Sequence, residues 1–430
     1  MSAPLLVLVL VFVALSLARI PIAFSMIVAT LAYLAAARRD IGLVADQIMN
    51  TLANNYLLVA IPMFLLAANL MNAGSISDRL FAACEVVVGR VRGGLAQVDV
   101  LVSVIFASMS GSAVADAAGP GLITIRAMDK AGYPRGFAAA IVAASAVLGP
   151  IIPPSIPMVL YALMANASVA ALFLGGVVPG LLIAAAMMIV VAITARRRAF
   201  PIGNPVPASD RPKILASALL PLGMPVLLLG GIYGGWFTPT EAAGVAAFYA
   251  LALGALVYRE LGLAKLAGAF AETGRQTAVI LLMICGAFAV NYAVTSEQLD
   301  KALAAWIAGL GLTPLGFLIV INLTFLVLGC FLDATTMLLV LVPVLLPTVA
   351  ALGIDPVYFG VLIVFNVTIG LVTPPYGLLL FVLAALTRIP LREIIAECWG
   401  FIGAMIAALA LMVAFPALVL WLPRVLGYVK

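Results

Sequence analysis

The sequence of 430 residues contains no histidine. Imidazole is a common general base, metal ligand and proton carrier at neutral pH. Its absence excludes Ser-His catalysis, histidine metal sites and histidine proton relays together. Cysteine is also scarce: the four cysteines are scattered without metal-ligand spacing, which favours small core residues over ligands. The chain has no G-x-S-x-G or H-E-x-x-H string, so an intramembrane enzyme is the least favoured function.

Charge is the second scarcity. Charged residues make up 9% of the chain and hydrophobic residues 66%, with a mean hydropathy of +1.27. Apolar runs of this number and length are not found in soluble domains, and the alternating segments of membrane barrels are absent. The composition predicts an all-α polytopic membrane protein. The net charge of +5 comes from short basic loops, which indicates membrane topology rather than nucleic-acid binding.

Two proline-rich stretches interrupt the apolar runs at matching places. Gly149-Pro-Ile-Ile-Pro-Pro-Ser155 has three prolines, and Gly370-Leu-Val-Thr-Pro-Pro-Tyr376 is a second copy in the other half of the chain. We call the sequence separation between Gly149 and Gly370 the repeat interval. Proline blocks the interior of a helix, so neither run crosses a membrane as one intact helix. Unwound backbone at membrane depth is tolerated where protein or a wet cavity surrounds it. Paired interruptions in two halves indicate the substrate and ion site of a secondary transporter.

Two further runs are broken by polar tips, at Ser108-Met-Ser-Gly-Ser112 and at 329–336. The limb before the first tip has about 12 residues, or roughly 18 Å of helix, which reaches about half of a ~30 Å hydrocarbon core. We therefore predict re-entrant hairpins with their tips near the midplane. The alternative for the first run is one continuous span with a glycine kink.

The order of runs predicts two inverted-topology repeats, each with five crossings and one hairpin. Their predicted bounds are a first repeat at 1–200 (scaffold spans within 5–72, hairpin 98–126, proline-broken span 136–165) and a second at 211–430 (scaffold spans within 214–293, hairpin 314–351, proline-broken span 357–386).

Basic residues support the inversion. Arginine and lysine flank the first hairpin, which places both its ends in the cytoplasm, whereas the loops at 309–314 and 351–356 contain none. The second hairpin should therefore enter from the opposite side. Arg38, Arg39 and Lys301 fall on the side where the rule does not expect them.

Hairpin tips and proline-broken spans expose carbonyls and amides that need partners. A desolvated Na⁺ suits carbonyl and hydroxyl oxygens, and nearby helix N-termini suit an anionic substrate. The predicted Na⁺ ligands are Ser110, Gly111, Ser112, Gly149, Pro150, Gly329, Asp333, Thr336, Gly370 and Thr373. The predicted substrate contacts are Ser112, Asp116, Pro153, Pro154, Ser155, Thr335, Pro374 and Pro375.

Asp116 and Asp333 are the acids that we place well inside the two hairpins. Each could stabilise the N-terminus of the hairpin's second limb or take part in ion coordination. For Asp333 the two interpretations are balanced, and for Asp116 the helix-terminus interpretation is favoured. Because histidine is absent and intramembrane acids are few, Na⁺ is favoured over protons as the coupling ion, and no cofactor is expected.

At these residues the sequence resembles the large membrane subunit of tripartite ATP-independent periplasmic (TRAP) transporters. The matching strings include Ser110-Gly-Ser-Ala-Val-Ala-Asp116, Gly149-Pro-Ile-Ile-Pro-Pro-Ser155, Phe237-Thr-Pro-Thr-Glu-Ala-Ala243 and Val372-Thr-Pro-Pro-Tyr-Gly377. The resemblance implies Na⁺-driven import of a dicarboxylate, sialic acid or other organic acid across the bacterial inner membrane. It also implies an elevator mechanism with Na⁺ sites between each hairpin tip and the neighbouring broken span. The implied partners are a periplasmic solute-binding protein and a small four-helix membrane subunit, expected as a separate chain.

Two other functions remain open at this point. One is a stand-alone ion-coupled anion transporter of similar fold that needs no binding protein. The other is a channel, because broken helices also line selectivity filters.

Overall fold

A computed structural model describes residues 2–203 and 206–429, and in this part of the chain all the regular elements are helical. The helices of the first half are α1 (Ala3–Leu17), α2 (Ile22–Ala36), α3 (Gly42–Asn54), α4 (Ala60–Ala73, preceded by a 3₁₀ turn at Tyr56–Val59), α5 (Ile76–Val88), α6 (Gly94–Ser110), α7 (Ala113–Ala118), α8 (Pro120–Lys130), α9 (Arg135–Ala146), α10 (Ile156–Ala165) and α11 (Val169–Arg197).

The helices of the second half follow in a similar order. They are α12 (Arg211–Tyr233), α13 (Pro239–Ala252, continued by a π turn at Leu253–Val257), α14 (Leu263–Ser296), α15 (Leu299–Gly309), α16 (Pro314–Gly329), α17 (Ala334–Thr336, continued by a π turn at Met337–Leu341), α18 (Val342–Ala351), α19 (Pro356–Gly370), α20 (Leu378–Thr387), α21 (Leu391–Ala414) and α22 (Ala417–Val425).

The predicted all-helical membrane fold is confirmed. Within the described residues, seven helices are long and apolar enough to cross a membrane, among them α11, α12, α14 and α21. A capping box begins α13: the side chains of Thr238 and Glu241 accept hydrogen bonds from each other's backbone N–H groups. Proline at the first helical position adds to this start signal.

The helices pack as two groups joined by two arms. The scaffold group is α1–α4 with α12–α14, in which α4 packs on α13 and α14, and α2 on α1 and α14. The core group is α6–α11 with α16–α22, in which α9 packs on α6 and α21, and α19 on α10, α11 and α16. The arm helices α5 and α15 each contact both groups: α5 lies on α12 and α6, and α15 on α14 and α18.

The first polar-tipped run is a hairpin, as predicted. The chain reverses at Gly111, whose φ of +62° is in the left-handed region, and α6 then packs against α8. This packing excludes one continuous span. The limbs are longer than predicted, since α6 begins at Gly94 and α8 ends at Lys130. The second limb also breaks at Gly119, which precedes Pro120. This break was not among the predicted ones.

The second hairpin is built differently. Its first limb α16 and its second limb α18 line opposite walls of one apolar cavity of about 470 Å³, which the arm helix α15 closes on a third side. A π turn at Met337–Leu341 and two prolines, Pro343 and Pro347, lie in the second limb. The limbs α6 and α8 of the first hairpin pack on each other, whereas a cavity lies between α16 and α18, so the second hairpin is the more open of the two.

Two predicted spans have different bounds. The last of the scaffold spans expected within 214–293 is part of α14, which runs unbroken over 34 residues from Leu263 to Ser296. The apolar run at 399–421 of the second repeat is not one helix: α21 ends at Ala414, Phe415 is extended (φ −127°, ψ 83°), and α22 starts after Pro416. The residue before a proline is biased away from helical geometry, which accounts for this break.

Candidate functional site

The first hairpin tip lies directly on the first proline-broken loop. A Cβ atom added at Gly111 would be 2.6 Å from the carbonyl oxygen of Pro154. A Cβ added at Gly149 would be 2.7 Å from Asp116 Oδ2 and 3.1 Å from the carbonyl carbon of Ser112. The distances of 2.6 Å and 2.7 Å are shorter than real Cβ contacts. Glycine at these two positions therefore allows the tip and the loop to approach this closely. The predicted residues 110–112, 149 and 154 are thus brought together.

The second half has the equivalent contact, made by backbone alone. A Cβ added at Gly370 would lie 2.6 Å from the carbonyl oxygen of Gly329. Gly370 is the last residue of α19, and Gly329 the last of α16. Close beside this contact, the hydroxyl of Thr373 donates to the carbonyl of Ile369 at 2.7 Å. The second hairpin tip therefore touches the second broken span, as the first tip touches the first.

Helices begin next to both contacts, and side chains cap most of these starts. Ser112 Oγ accepts a hydrogen bond from Ala115 N (3.4 Å) at the start of α7, and Ser155 Oγ accepts one from Met158 N (3.2 Å) at the start of α10. Ser155 also donates to the carbonyl of Pro150. In the second half, Asp333 accepts from both the backbone N–H (3.0 Å) and the hydroxyl of Thr336. Asp333 is therefore a helix N-cap, one of its two predicted roles.

Asp116 is placed differently from Asp333. Its side chain is 2% exposed, and Oδ1 accepts a hydrogen bond from the hydroxyl of Ser110 across the tip. Oδ2 is buried against Gly149 without a hydrogen-bond partner among the described residues. Ser112, not Asp116, caps α7. A buried carboxylate oxygen without a partner carries a large desolvation cost, so this atom is suited to meet a cation.

The predicted substrate contacts differ in exposure between the halves. Pro153, Pro154 and Ser155 are buried, whereas Thr335 and Pro374 are half-buried and Pro375 is exposed. The peptide bonds Pro153–Pro154 and Pro374–Pro375 are both cis. The first broken loop is thus enclosed by protein, and the second is accessible from outside.

One polar pair in each half holds the hairpin to its broken span, and neither pair was predicted from the sequence. In the first half, the hydroxyl of Ser145 on α9 donates to Asp99 Oδ2 on α6 at 2.6 Å, and both residues are buried. In the second half, Asn366 on α19 donates from Nδ2 to the backbone oxygen and the side-chain oxygen of Asn322 on α16, both at 2.8 Å. Ser145 and Asn366 are separated by the repeat interval, as Gly149 and Gly370 are. This recurrent separation is the sequence signal that could have found them.

A polar cavity of about 490 Å³ lies where the first hairpin meets the scaffold group. Its walls are α7 and α8 on one side and α4, α5 and α14 on the other. It carries Asn69, Asn72 and Gln276 with two acids, Asp78 and Glu272, and one guanidinium, Arg126. Mixed charge of this kind keeps a cavity hydrated but does not by itself select an anion. The cavity is suited to be an aqueous route between the two groups.

The chain is similar to a known family over almost its whole length. Residues 9–418 match the family described as "Tripartite ATP-independent periplasmic transporter, DctM component". The sialic acid TRAP transporter large permease protein SiaM of Vibrio cholerae is 39% identical over 413 residues, which are 96% of each chain. The C4-dicarboxylate TRAP transporter large permease protein DctM of Pseudomonas aeruginosa is 40% identical over 375 residues, 87% of this chain and 88% of that one.

A solved structure shares the fold. The YdaH transporter of Alcanivorax borkumensis superposes with a TM-score of 0.59, covering 86% of this chain and 87% of that chain, at 16% sequence identity. At this identity the likeness concerns the fold alone.

Proposed function

The chain belongs to the DctM-component family of tripartite ATP-independent periplasmic transporters, and from this premise we propose that it imports an organic acid together with Na⁺ by an elevator movement of its core group. As a large permease of this family, with seven helices among its described residues that are long and apolar enough to cross a membrane, it is a multi-pass protein of the bacterial inner membrane. The Na⁺ coupling, the movement, the substrate and the partner chains are the proposed parts.

The observation that carries the proposal is the pair of contacts between hairpin tips and broken spans. The first contact brings the carbonyl of Pro154 and the unpartnered carboxylate oxygen of Asp116 to Gly111 and Gly149. The second brings the carbonyl of Gly329 against Gly370, with the hydroxyl of Thr373 one turn away on the carbonyl of Ile369. Oxygen ligands of this kind suit Na⁺. A bound cation would also neutralise the unpartnered oxygen of Asp116. One Na⁺ at each contact would close each tip over its loop.

Packing within the core group supports an elevator rather than separate gates. Asp99 with Ser145 joins one hairpin to its broken span, and Asn322 with Asn366 joins the other. The two broken spans also interlock, because α10 packs on α19 and α20 packs on α7 and α9. These contacts favour movement of both hairpins and both broken spans as one block, while the scaffold group stays fixed. In this proposal each of the two inverted repeats contributes one part of the block and one part of the scaffold group.

The polar cavity gives the proposed release route. It lies on the boundary between block and frame, and it includes Arg126, which the positive-inside rule places near the cytoplasm. A cavity open on this side is the arrangement expected of an inward-facing state. Because relatives are named for sialic acid and for C4-dicarboxylates, we propose a carboxylate as the substrate, delivered by a periplasmic solute-binding protein. A small membrane subunit would complete the tripartite system.

Uptake into proteoliposomes tests the proposal. The chain and a small membrane subunit are reconstituted, and uptake of labelled sialic acid or C4-dicarboxylate is measured with and without an inward Na⁺ gradient and with and without the binding protein. We expect uptake only when the inward Na⁺ gradient and the binding protein are both present. Uptake without the binding protein would instead indicate a stand-alone transporter. Current without any coupling gradient would indicate a channel.

A further inference from the structure

A carboxylate from the second half holds the start of the first arm helix. Glu260, in the loop between α13 and α14, accepts hydrogen bonds from the backbone N–H (2.8 Å) and the hydroxyl (2.7 Å) of Ser75. It also pairs with Arg79 of α5 at 3.3 Å. The guanidinium of Arg79 in turn stacks over the ring of Tyr258, 4.0 Å from its centroid. We call these four residues the first anchor.

An arginine from the first half binds the end of α14, three residues before the second arm helix begins. Arg39, in the loop between α2 and α3, donates from Nη1 to the hydroxyls of Ser296 (3.0 Å) and Tyr292 (3.3 Å) at the end of α14. One residue further on, Glu297 accepts a hydrogen bond from the hydroxyl of Tyr33 at 3.0 Å. We call these five residues the second anchor.

The two anchors correspond position by position. The repeat interval separates Ser75 from Ser296, and it also separates Arg39 from Glu260. In both anchors a serine near the start of an arm is bound by a charged residue from the scaffold of the other half: Ser75 directly precedes α5, and Ser296 ends α14 three residues before α15. The charge is negative in the first anchor and positive in the second. The position of Arg39, which the positive-inside rule does not explain, follows from this contact.

We propose that the two anchors are positioning residues for transport: they fix the scaffold end of each arm helix, so that the arm turns about that end when its hairpin moves. The proposal rests on the elevator movement proposed above. An element that links a fixed frame to a moving block needs one immobile end. The arms belong to neither group and contact both, and the anchors lie where each arm leaves the scaffold.

Hydrogen exchange of the full chain in lipid nanodiscs tests the anchors directly. In Glu260→Ala, loss of the hydrogen bonds from Ser75 should speed exchange at 76–80 by about fivefold to tenfold. Arg39→Ala should do the same at 299–303. Exchange at 135–146, in the core group, should not change in either variant. Arg275→Ala is the matched control, because it removes a surface ion pair with Glu272 in which the arginine is 76% exposed.

Transport kinetics of the reconstituted system supply the second measurement. Loss of either anchor should lower the maximal uptake rate about fivefold to tenfold and leave the half-saturating substrate concentration unchanged, since neither anchor lies at the tip contacts. Glu260→Gln keeps one oxygen for Ser75 and should recover part of both effects. Unchanged exchange at the start of the arms, or an equal rise at 135–146, would overturn the proposal. The hydrogen-exchange measurement needs neither Na⁺ nor substrate. If the proposed transport function is wrong but the anchors are right, uptake will fail while the exchange results stay as expected.

Discussion

The contact between Gly370 and Gly329 allows a prediction of defined size. In Gly370→Ala, the new Cβ would lie 2.6 Å from the carbonyl oxygen of Gly329, whereas ordinary contact starts at 3.4 Å. The tip of the second hairpin must therefore move by about 0.8 Å. Gly370 has helical geometry in α19, where alanine is intrinsically better than glycine by roughly 0.5–1 kcal/mol. Any loss must consequently come from the contact and not from the helix.

Overpacking of a close contact costs about 1–3 kcal/mol. If that cost falls on the Na⁺-bound state, the half-saturating Na⁺ concentration should rise about 5-fold to 150-fold. The assay is uptake into proteoliposomes as a function of external Na⁺, at saturating substrate and binding protein. Gly403→Ala is the matched control: it is also a helical glycine, in α21, but its added Cβ would meet nothing within 4 Å. If both variants show the same Na⁺ dependence at equal membrane levels, the contact at Gly370 is not part of an ion site.

Three further predictions follow from other residues. Asp333→Ala should weaken Na⁺-dependent uptake with the protein still inserted, and Asp333→Asn, which keeps a cap for α17, should restore helix stability but not Na⁺ affinity; unchanged Na⁺ dependence in both would leave Asp333 only its cap role. Asn366→Leu should lower the free energy of unfolding by about 1–3 kcal/mol, because it leaves the polar groups of Asn322 buried without their partner. An unchanged melting temperature would contradict this. Hydrogen bonds from Ser75, followed by pairing with Arg79, hold the pKa of Glu260 below its usual value of 4.5, so the first anchor should be intact above that pH and weaken as the pH falls through the lowered pKa. Exchange at the start of α5, corrected for intrinsic rates, measures this, and Glu260→Gln should remove the pH dependence.

Proline and glycine made the breaks in the core predictable. Their effects are local, since proline removes a backbone donor wherever it stands, so the loops at 149–155 and 370–376 were visible in the sequence. The break at Pro416 carried the same signal and was overlooked inside an apolar run. The length of α14 was underestimated for another reason: its first turns carry Lys265, Glu272 and Arg275, and hydropathy finds only the part of a helix that lies in lipid.

Single polar residues within apolar helices were harder to interpret. Asp99 and Ser145 are 46 residues apart in sequence, and neither has neighbours that indicate which helix it faces. Their meeting depends on the register between α6 and α9, which packing decides and local propensity does not. The anchors at Ser75 and Ser296 are of the same kind. Only comparison of positions separated by the repeat interval relates such residues without a structure.

The length of α14 has a consequence for how the protein sits in the bilayer. Its 34 residues extend about 51 Å, whereas the hydrocarbon core is about 30 Å thick. Burying all of it would need a tilt near 54°, beyond the usual range of about 0–40°. The charged first part of α14 must therefore lie outside the hydrocarbon core, in the headgroup layer and in water. Because these charged residues resist entry into the hydrocarbon core, a thicker or thinner bilayer would change the tilt of α14 more readily than its depth.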